Sequence, residues 1–281
     1  MILNRLRYLQ DNYALKLLRI IYSIAYRPFY RAPFTKDLKA TADQYKAIWK
    51  EAINSRYPQI DSFETAHGAA INTDWLNQLA LQTQVVVKDS EICFQHGRLL
   101  YAALAEYIRS PAISHVNILE TGTARGFSSL CMAKALDDAK VSGKITTFDI
   151  LPHDQPILWN CIADIDGPKS RAELLLEYEP LLEKYLVFIQ GDSKLQHKKV
   201  HSHRIHFAFL DGAHTFDDVM FEFGFVENKQ LPGDIIFFDD YTPKLFPGIV
   251  AGVDEICAQS NYSKEVISIG DQRGYVLAIK Q

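Results

Sequence analysis

The sequence of 281 residues contains only four cysteines, and it has neither a long apolar run nor an excess of positive charge. The cysteines are widely spaced and form no C-x-x-C pair, which excludes a disulfide framework and a thiolate zinc site. We therefore expect reduced cysteines in the core of a cytoplasmic protein. The formal net charge of −4 gives no indication of a nucleic-acid partner. The length and the 48% hydrophobic content are sufficient for a full α/β core.

The first 34 residues are basic, aromatic and apolar. Their longest uncharged run, residues 20–26, is far shorter than the ~20 residues that a membrane span needs. No small-residue cleavage site follows an apolar core, so a signal peptide is not expected. The favoured interpretation is an amphipathic helix packed on its own domain or on a second subunit of a homo-oligomer. The alternative is a helix that lies on an anionic membrane surface as a peripheral contact.

The chain divides into two parts by pattern. Residues 36–110 are mostly helical in character, with the clearest helical periodicity over residues 92–110, whereas the three valines of residues 85–87 are typical of a strand. We predict a helical N-terminal region over residues 1–112, which caps the active site or forms an oligomer interface. A second domain is predicted over residues 113–281.

Strands and helices alternate in this second part, which indicates a buried parallel sheet. The last two apolar runs are separated by a short turn sequence and predict an antiparallel hairpin. The expected fold class is therefore α/β, a mostly parallel sheet closed by a C-terminal hairpin and preceded by a helical extension. The strands are predicted at residues 117–120, 144–150, 185–190, 205–210, 234–238, 265–269 and 274–279, and the helices at residues 127–139, 170–184, 215–228 and 249–260.

Residues 118–135, ILETGTARGFSSLCMAKA, have the pattern of a strand, a tight glycine turn and a helix. Glycines in the turn let backbone N–H groups approach a ligand, and the helix N-terminus adds a partial positive charge. The motif is E-x-G-x-x-x-G-x-S, built from Glu120, Gly122, Gly126 and Ser128. This spacing differs from the G-x-G-x-x-G of a dinucleotide site, which argues against a nicotinamide dehydrogenase.

Acidic residues stand at the carboxyl ends of nearly all the predicted parallel strands, where an open α/β sheet binds its ligands. Because like charges repel, such a rim indicates a cationic or hydroxyl-rich ligand. Asp149 is predicted to accept the hydroxyls of a ribose, and Asp192 with Ser193 to lie on the side of an adenine. Capping of a helix is the alternative role of either aspartate. The acids are Glu120, Asp149, Asp192, Asp211, Asp239 and Asp240.

Three of these acids, Asp211, Asp239 and Asp240, follow strands that we expect to be neighbours. Converging carboxylates suit a hard divalent cation such as Mg²⁺, which would lower the pKa of an acceptor hydroxyl. His214 lies three residues after Asp211 and is the candidate general base. Its alternative role is to cap a helix or to orient Asp211. Residues 79–96 and the insertion at residues 151–171 are candidate lids over the site.

Two stretches, FLDGAHTFD and PGDIIFFDDY, together with the glycine motif, resemble class I S-adenosylmethionine (SAM) dependent methyltransferases. The similarity covers residues 118–280 and is to the metal-dependent O-methyltransferases of the macrocin and mycinamicin sugar type, and more distantly to catechol O-methyltransferase. Relatives often have Glu-Asp or Asp-Asn where this chain has Asp239-Asp240, so one of these acids could lie outside the ligand set. The resemblance implies cofactor contacts from Glu120, Gly122, Thr123, Gly126, Ser128, Asp149, Asp192 and Ser193, metal ligation by Asp211, Asp239 and Asp240, and His214 as the base.

The expected function is therefore SAM-dependent methylation of a hydroxyl on a small molecule, such as a sugar, glycan or secondary metabolite, assisted by Mg²⁺ and a histidine base. Two alternatives stay open. One is a metal-independent methyltransferase that acts on nitrogen or oxygen. The other is a SAM-binding scaffold without turnover, against which the full set of clustered carboxylates argues.

Overall fold

The computed structural model describes residues 37–200 and 202–281. The predicted basic helix, with its oligomer and membrane interpretations, lies outside these residues. Within the described ranges no helix is both long and apolar enough to cross a membrane. The helices are α1 (Ala42–Asn54), α2 (Pro58–His67), α3 (Thr73–Thr83), α4 (His96–Tyr107), α5 (Phe127–Ala139), α6 (Arg171–Leu174), α7 (Glu179–Tyr185), α8 (Ser193–Gln196), α9 (Phe216–Val226) and α10 (Pro247–Gln259). The strands are β1 (His115–Thr121), β2 (Ser142–Asp149), β3 (Leu186–Gln190), β4 (Phe207–Leu210), β5 (Ile235–Phe238), β6 (Tyr262–Ile269) and β7 (Arg273–Lys280).

The seven strands form one sheet in the order β3-β2-β1-β4-β5-β7-β6. Strands β1 to β5 pair in parallel, and β7 runs antiparallel between β5 and β6. The predicted mostly parallel sheet with a C-terminal hairpin is confirmed. The chain progresses outward from β1 in both directions, so a crevice opens between β1 and β4 at their carboxyl ends.

The sheet is buried on both faces, as its uninterrupted apolar strands require. Every residue of β4 (FAFL) and β5 (IIFF) is buried. On one face Leu130 of α5 shares an apolar cluster with Phe209 of β4. On the other face Phe223 of α9 and Val253 of α10 pack with Ile236 of β5.

The helices that precede β1 belong to the same apolar core as the sheet. Leu99 and Leu104 of α4 lie in one cluster with Leu130 of α5. At Gly97 of α4 the two helices are in direct contact, since a Cβ there would lie 2.7 Å from the Phe127 ring. The division of the chain at residue 112 therefore stays a prediction about organisation, while the packing joins both parts in one core.

The valines of residues 85–87, whose composition is typical of a strand, have no regular secondary structure, although Val85 and Val86 are buried. One local prediction was wrong. The single helix predicted over residues 170–184 is divided into α6, a short 3₁₀ turn and α7. Pro180 stands in the first turn of α7, where its missing N–H is tolerated, and thus marks a new helix start.

Candidate active site

The glycine turn after β1 lies across the carboxyl ends of its neighbouring strands. Gly122 and Gly126 both have a φ of +86°, a left-handed conformation that favours glycine. A Cβ on Gly122 would lie 2.2 Å from the carbonyl oxygen of Asp211, so no larger residue fits there. Helix α5 begins at Phe127, directly after Gly126, which leaves its N-terminal amides at the rim.

Glu120 and Ser128, two residues of the glycine motif, bind each other. Glu120 has no exposed surface and accepts hydrogen bonds from the hydroxyls of Ser128 and Ser129. Burial raises the pKa of Glu120, and the serine hydroxyls oppose that rise. Thr123 is also buried, with its hydroxyl 2.5 Å from that of Thr147. Hydrogen bonds among these buried side chains stabilise the turn. Their contacts with a cofactor stay predictions.

Asp149 at the end of β2 lies against the glycine turn. Its carboxylate accepts hydrogen bonds from the backbone N–H of Ala124 at 2.5 Å and of Leu151 at 2.7 Å. Arg171, which the sequence did not single out, donates to the carbonyl of Ala124 at 2.8 Å and lies 3.5 Å from the Asp149 carboxylate. Beside them, the apolar side chain of Ile150 is 74% exposed. Asp149 thus lies beside the glycine turn, and its ribose contact stays a prediction.

Asp192 caps the short helix α8, which is the alternative role considered for it. Its carboxylate accepts the backbone N–H of Lys194 at 2.8 Å, and its side chain is exposed. Gly191 donates to the carbonyl of Asp149 at 2.7 Å, so this turn and the ribose candidate are adjacent. The adenine-side role of Asp192 and Ser193 stays a prediction.

Asp211, His214 and Asp240 converge after β4 and β5. One possible ligand atom from each lies within 4.8 Å of the others. His214 Nε2 is 2.9 Å from Asp240 Oδ2 and 3.8 Å from Asp211 Oδ1. Asp239, the third predicted ligand, is outside this group, because its carboxylate turns back to accept the backbone N–H of Asp240 at 2.6 Å. Metal ligation by Asp211, Asp239 and Asp240 stays a prediction.

The carboxylates of this cluster lie close enough together to change each other's pKa. Burial and the charges of Asp239 and Asp240 raise the pKa of Asp211 well above its usual range. Burial and the charge of Asp240 also raise the pKa of Asp239, to about 7. Burial would lower the pKa of His214, but its hydrogen bond to Asp240 and the surrounding acids raise it. The two carboxylates repel each other. Together with the imidazole they form a donor set that fits a divalent cation.

A further acid, Glu222 of α9, lies beneath this cluster. It is buried and accepts a hydrogen bond from the Thr121 hydroxyl at 3.0 Å. Burial is the main reason that its pKa rises to about 7. Glu222 was not predicted as a site residue. One feature of the sequence indicates that Glu222 is buried. It is the single charged residue in the aromatic helical run FEFGF, and such a run is expected to face the core.

Comparison with known proteins agrees with this arrangement. Residues 119–241, which contain the glycine motif, the β4 end and the β5 end, match the family described as "Methyltransferase domain". This part of the chain is thus similar to a methyltransferase domain. The resemblance to class I SAM-dependent methyltransferases that the motifs indicated is confirmed by this match and by the fold. No curated protein sequence matches the chain.

Three of the solved structures similar to this chain are O-methyltransferases. The enzyme from Bacillus cereus, in complex with SAH, is 16% identical over 86% of this chain and 100% of its own, with a TM-score of 0.52. TomG from Streptomyces achromogenes, in complex with SAM, is 16% identical over 75% of this chain and 92% of its own, with a TM-score of 0.53. NovP is 17% identical over 69% of this chain and 83% of its own, with a TM-score of 0.51. At these identities the similarity establishes the fold.

Proposed function

We propose that this protein transfers the methyl group of SAM to a hydroxyl oxygen of a small molecule. The observation that carries the proposal is the convergence of Asp211, His214 and Asp240 beside the glycine turn. The turn contacts Asp211 through Gly122, so a cofactor on the turn and an acceptor at the cluster would be neighbours. Such alignment of nucleophile, methyl carbon and leaving sulfur is the main requirement of methyl transfer.

The residues of the site have separate proposed roles in binding SAM and in transferring the proton. The amides at the start of α5 and the carboxylate of Asp149 would hold SAM, and exposed Ile150 offers an apolar surface to its adenine. The acceptor oxygen bonds the methyl carbon as the carbon–sulfur bond breaks, leaving S-adenosylhomocysteine (SAH). His214 would hold the proton released by the hydroxyl, and Asp240 at 2.9 Å would stabilise the imidazolium.

A divalent cation, with Mg²⁺ as the first candidate, fits between Asp211 and Asp240. When bound, it would polarise the acceptor oxygen and lower the pKa of its hydroxyl. Asp239 would then act indirectly, because its carboxylate accepts the Asp240 N–H and so holds the backbone of Asp240 in place. The acceptor is proposed to be a sugar, glycan or secondary metabolite, and the enzyme is proposed to be a cytoplasmic homo-oligomer that binds no nucleic acid.

A second candidate is a metal-independent methyltransferase that acts on nitrogen or oxygen. The observation in its favour is the 2.9 Å contact between His214 Nε2 and Asp240 Oδ2. This pair forms a histidine–aspartate dyad, in which the carboxylate orients the imidazole and supports proton transfer without a metal. In that case Asp211 would serve to position the dyad.

Calorimetric titration distinguishes these proposals. SAM is titrated into the protein with Mg²⁺ and with EDTA, and Mg²⁺ is titrated separately. Metal-assisted transfer predicts saturable heats for both ligands, with Asp211→Asn losing the Mg²⁺ heat and keeping the SAM affinity. The matched control is Asp271→Asn, an exposed acid in the turn between β6 and β7. SAM binding without any Mg²⁺ heat favours the metal-independent candidate, and no SAM binding contradicts both.

A further inference from the structure

Arg171, the first residue of α6, is a buried cation beside the predicted ribose contact. It is only 1% exposed, and its guanidinium carbon lies 5.5 Å from the centre of the Trp159 ring and 5.8 Å from that of Phe188. A charge buried among aromatic rings is costly unless an anion lies nearby. That anion is Asp149, whose Oδ2 is 3.5 Å from Arg171 Nη2.

Helix α6 is fixed against the elements that carry the site. The backbone N–H of Arg171 donates to the carbonyl of His153 at 3.1 Å. One turn later, Leu175 packs on the glycine turn, where a Cβ on Gly126 would lie 2.7 Å from Leu175 Cδ1. These contacts hold the guanidinium at a defined place between the insertion and the turn.

The contact between Arg171 and Asp149 is an ion pair without a hydrogen bond. Arg171 Nε donates to the carbonyl of Ala124 at 2.8 Å. Nη2 is buried, and over residues 37–200 and 202–281 nothing accepts a hydrogen bond from it. The arginine therefore gives its charge to Asp149 and leaves the hydrogen-bonding capacity of the carboxylate unused.

The carboxylate of Asp149 has room for further hydrogen bonds. An ionised carboxylate has about four lone-pair sites on its two oxygens. The backbone N–H groups of Ala124 and Leu151 occupy one site each. About two sites remain, which is the number that the two hydroxyls of one ribose need. A protonated carboxyl would lose part of this capacity, because one of its oxygens then carries a hydrogen and donates.

The charge state of Asp149 depends on Arg171. Burial raises the pKa of Asp149, whereas its two backbone hydrogen bonds and the charge of Arg171 lower it. The other ionisable groups that act on this pair are Glu120 of β1 and His153, which follows β2. Burial and the charge of Arg171 lower the pKa of His153, which favours the neutral imidazole. Arg171 is thus the permanent positive charge that faces Asp149.

We propose that Arg171 is a positioning residue for the cofactor, which keeps the Asp149 carboxylate ionised and in place so that it accepts both hydroxyls of the SAM ribose. This inference rests on the proposed methyl transfer, because it takes SAM to be the ligand of the glycine turn. Arg171 would act through Asp149 and through the carbonyl of Ala124, without touching the cofactor itself.

The test measures how the affinity for SAH depends on pH in the full-length protein. Calorimetric titrations between pH 5.5 and pH 8 compare the wild type with Arg171→Gln, which removes the charge, and with Arg171→Lys, which keeps it. Loss of an adjacent cation raises the pKa of a carboxyl group by about 1–3 pH units. Between pH 8 and pH 5.5, Arg171→Gln is therefore expected to lose about tenfold more affinity than the wild type. Arg171→Lys should keep the wild-type pH profile.

Asp149→Asn separates an effect on Asp149 from a general effect on the fold. The amide does not titrate, so adding Arg171→Gln to this variant should leave its pH profile unchanged. Glu120 is present in all these proteins, and its own titration cancels in the comparison. The matched control is Arg56→Gln, at an exposed arginine between α1 and α2.

The outcomes distinguish this inference from the function on which it rests. If SAH binds with the same pH profile in the wild type and in Arg171→Gln, the role of Arg171 is overturned while methyl transfer stands. A shift that persists in the Asp149→Asn background also overturns it, because a group other than Asp149 would then titrate. If Arg171→Gln does not fold, Arg171→Lys still decides, since a changed profile in a variant that keeps the charge contradicts the role. A protein that fails to bind SAH overturns both proposals.

Discussion

Glu222 is a buried acid whose ionisation is opposed by its surroundings. It is buried beneath the cluster, and burial raises its pKa from the ordinary value of 4.5 to about 7. Between these two values the unfolded chain releases a proton that the folded protein keeps. The free energy of unfolding therefore falls as the pH rises through this range, and the penalty is constant above it.

Replacing Glu222 with Gln should relieve this penalty. The amide oxygen of Gln can still accept the Thr121 hydroxyl, which bonds Glu222 at 3.0 Å in the wild type. In metal-free protein, Glu222→Gln is expected to add about 2–3 kcal/mol more stability at pH 8 than at pH 5. Denaturant unfolding at the two pH values measures this, with exposed Glu265→Gln as the control. An equal effect at both pH values would show that Glu222 ionises normally.

The site shows which residues sequence can place and which it cannot. Asp211 follows β4 and Asp240 follows β5, and these positions in the sequence were sufficient to predict that the two side chains lie together. Asp239 lies outside the group of possible ligand atoms, and its metal ligation stays a prediction. Its Oδ1 accepts the backbone N–H of Asp240, whose own side chain, at a φ of +56°, contacts His214. Arg171 could not be placed from sequence, because its contact with Asp149 joins segments that are distant in the chain and leaves no local pattern.

At the scale of elements, Asn160 joins the two segments that the sequence suggested as lids. It has a φ of +53°, a conformation that asparagine tolerates, and its side chain bonds the backbone of Val87 as a neighbouring strand would. The same carboxamide accepts the Tyr45 hydroxyl at 3.2 Å. The valines at residues 85–87 have the composition of a strand, but in the structure the backbone of Val87 pairs with this single side chain.

Asn160→Gly should release the segment of residues 84–95 without adding backbone strain, since glycine accepts a positive φ. The amide of Val87 is expected to exchange its hydrogen more quickly, and global stability to fall by about 1–3 kcal/mol. Hydrogen exchange and denaturant unfolding report the two effects separately. Asn228→Gly, at an exposed asparagine, is the control. If Val87 exchange does not change, the carboxamide does not hold this segment.

For the molecule as a whole, the arrangement of the sheet could be predicted from the sequence pattern, whereas the packing of the N-terminal helices against the rest of the protein could not. Alternating strands and helices with a terminal hairpin predicted the arrangement of β1 to β7. Periodicity identified helical character before residue 110, but it could not show which surface those helices cover. The contact between Gly97 and Phe127 shows that α4 lies directly on α5.

A chain that begins at residue 113 is therefore expected not to fold as an independent domain. It would expose the apolar surface around Phe127 and Leu130 that α4 covers in the full protein. We expect strong binding of a hydrophobic dye and loss of a cooperative thermal transition, with the full-length protein as the reference. A cooperative transition in the shortened chain would mean that the methyltransferase domain is self-sufficient.

The four cysteines lead to one more consequence. Cys93, Cys131 and Cys161 are buried as free thiols, and Cys257 is half-buried. Cys131 lies where α4 meets α5, so a Cβ on Gly97 would approach its sulfur to 2.8 Å. A thiol reagent in solution can reach that sulfur only after the helical layer has lifted from the sheet. The rate at which Cys131 is modified would therefore report how often α4 separates from α5.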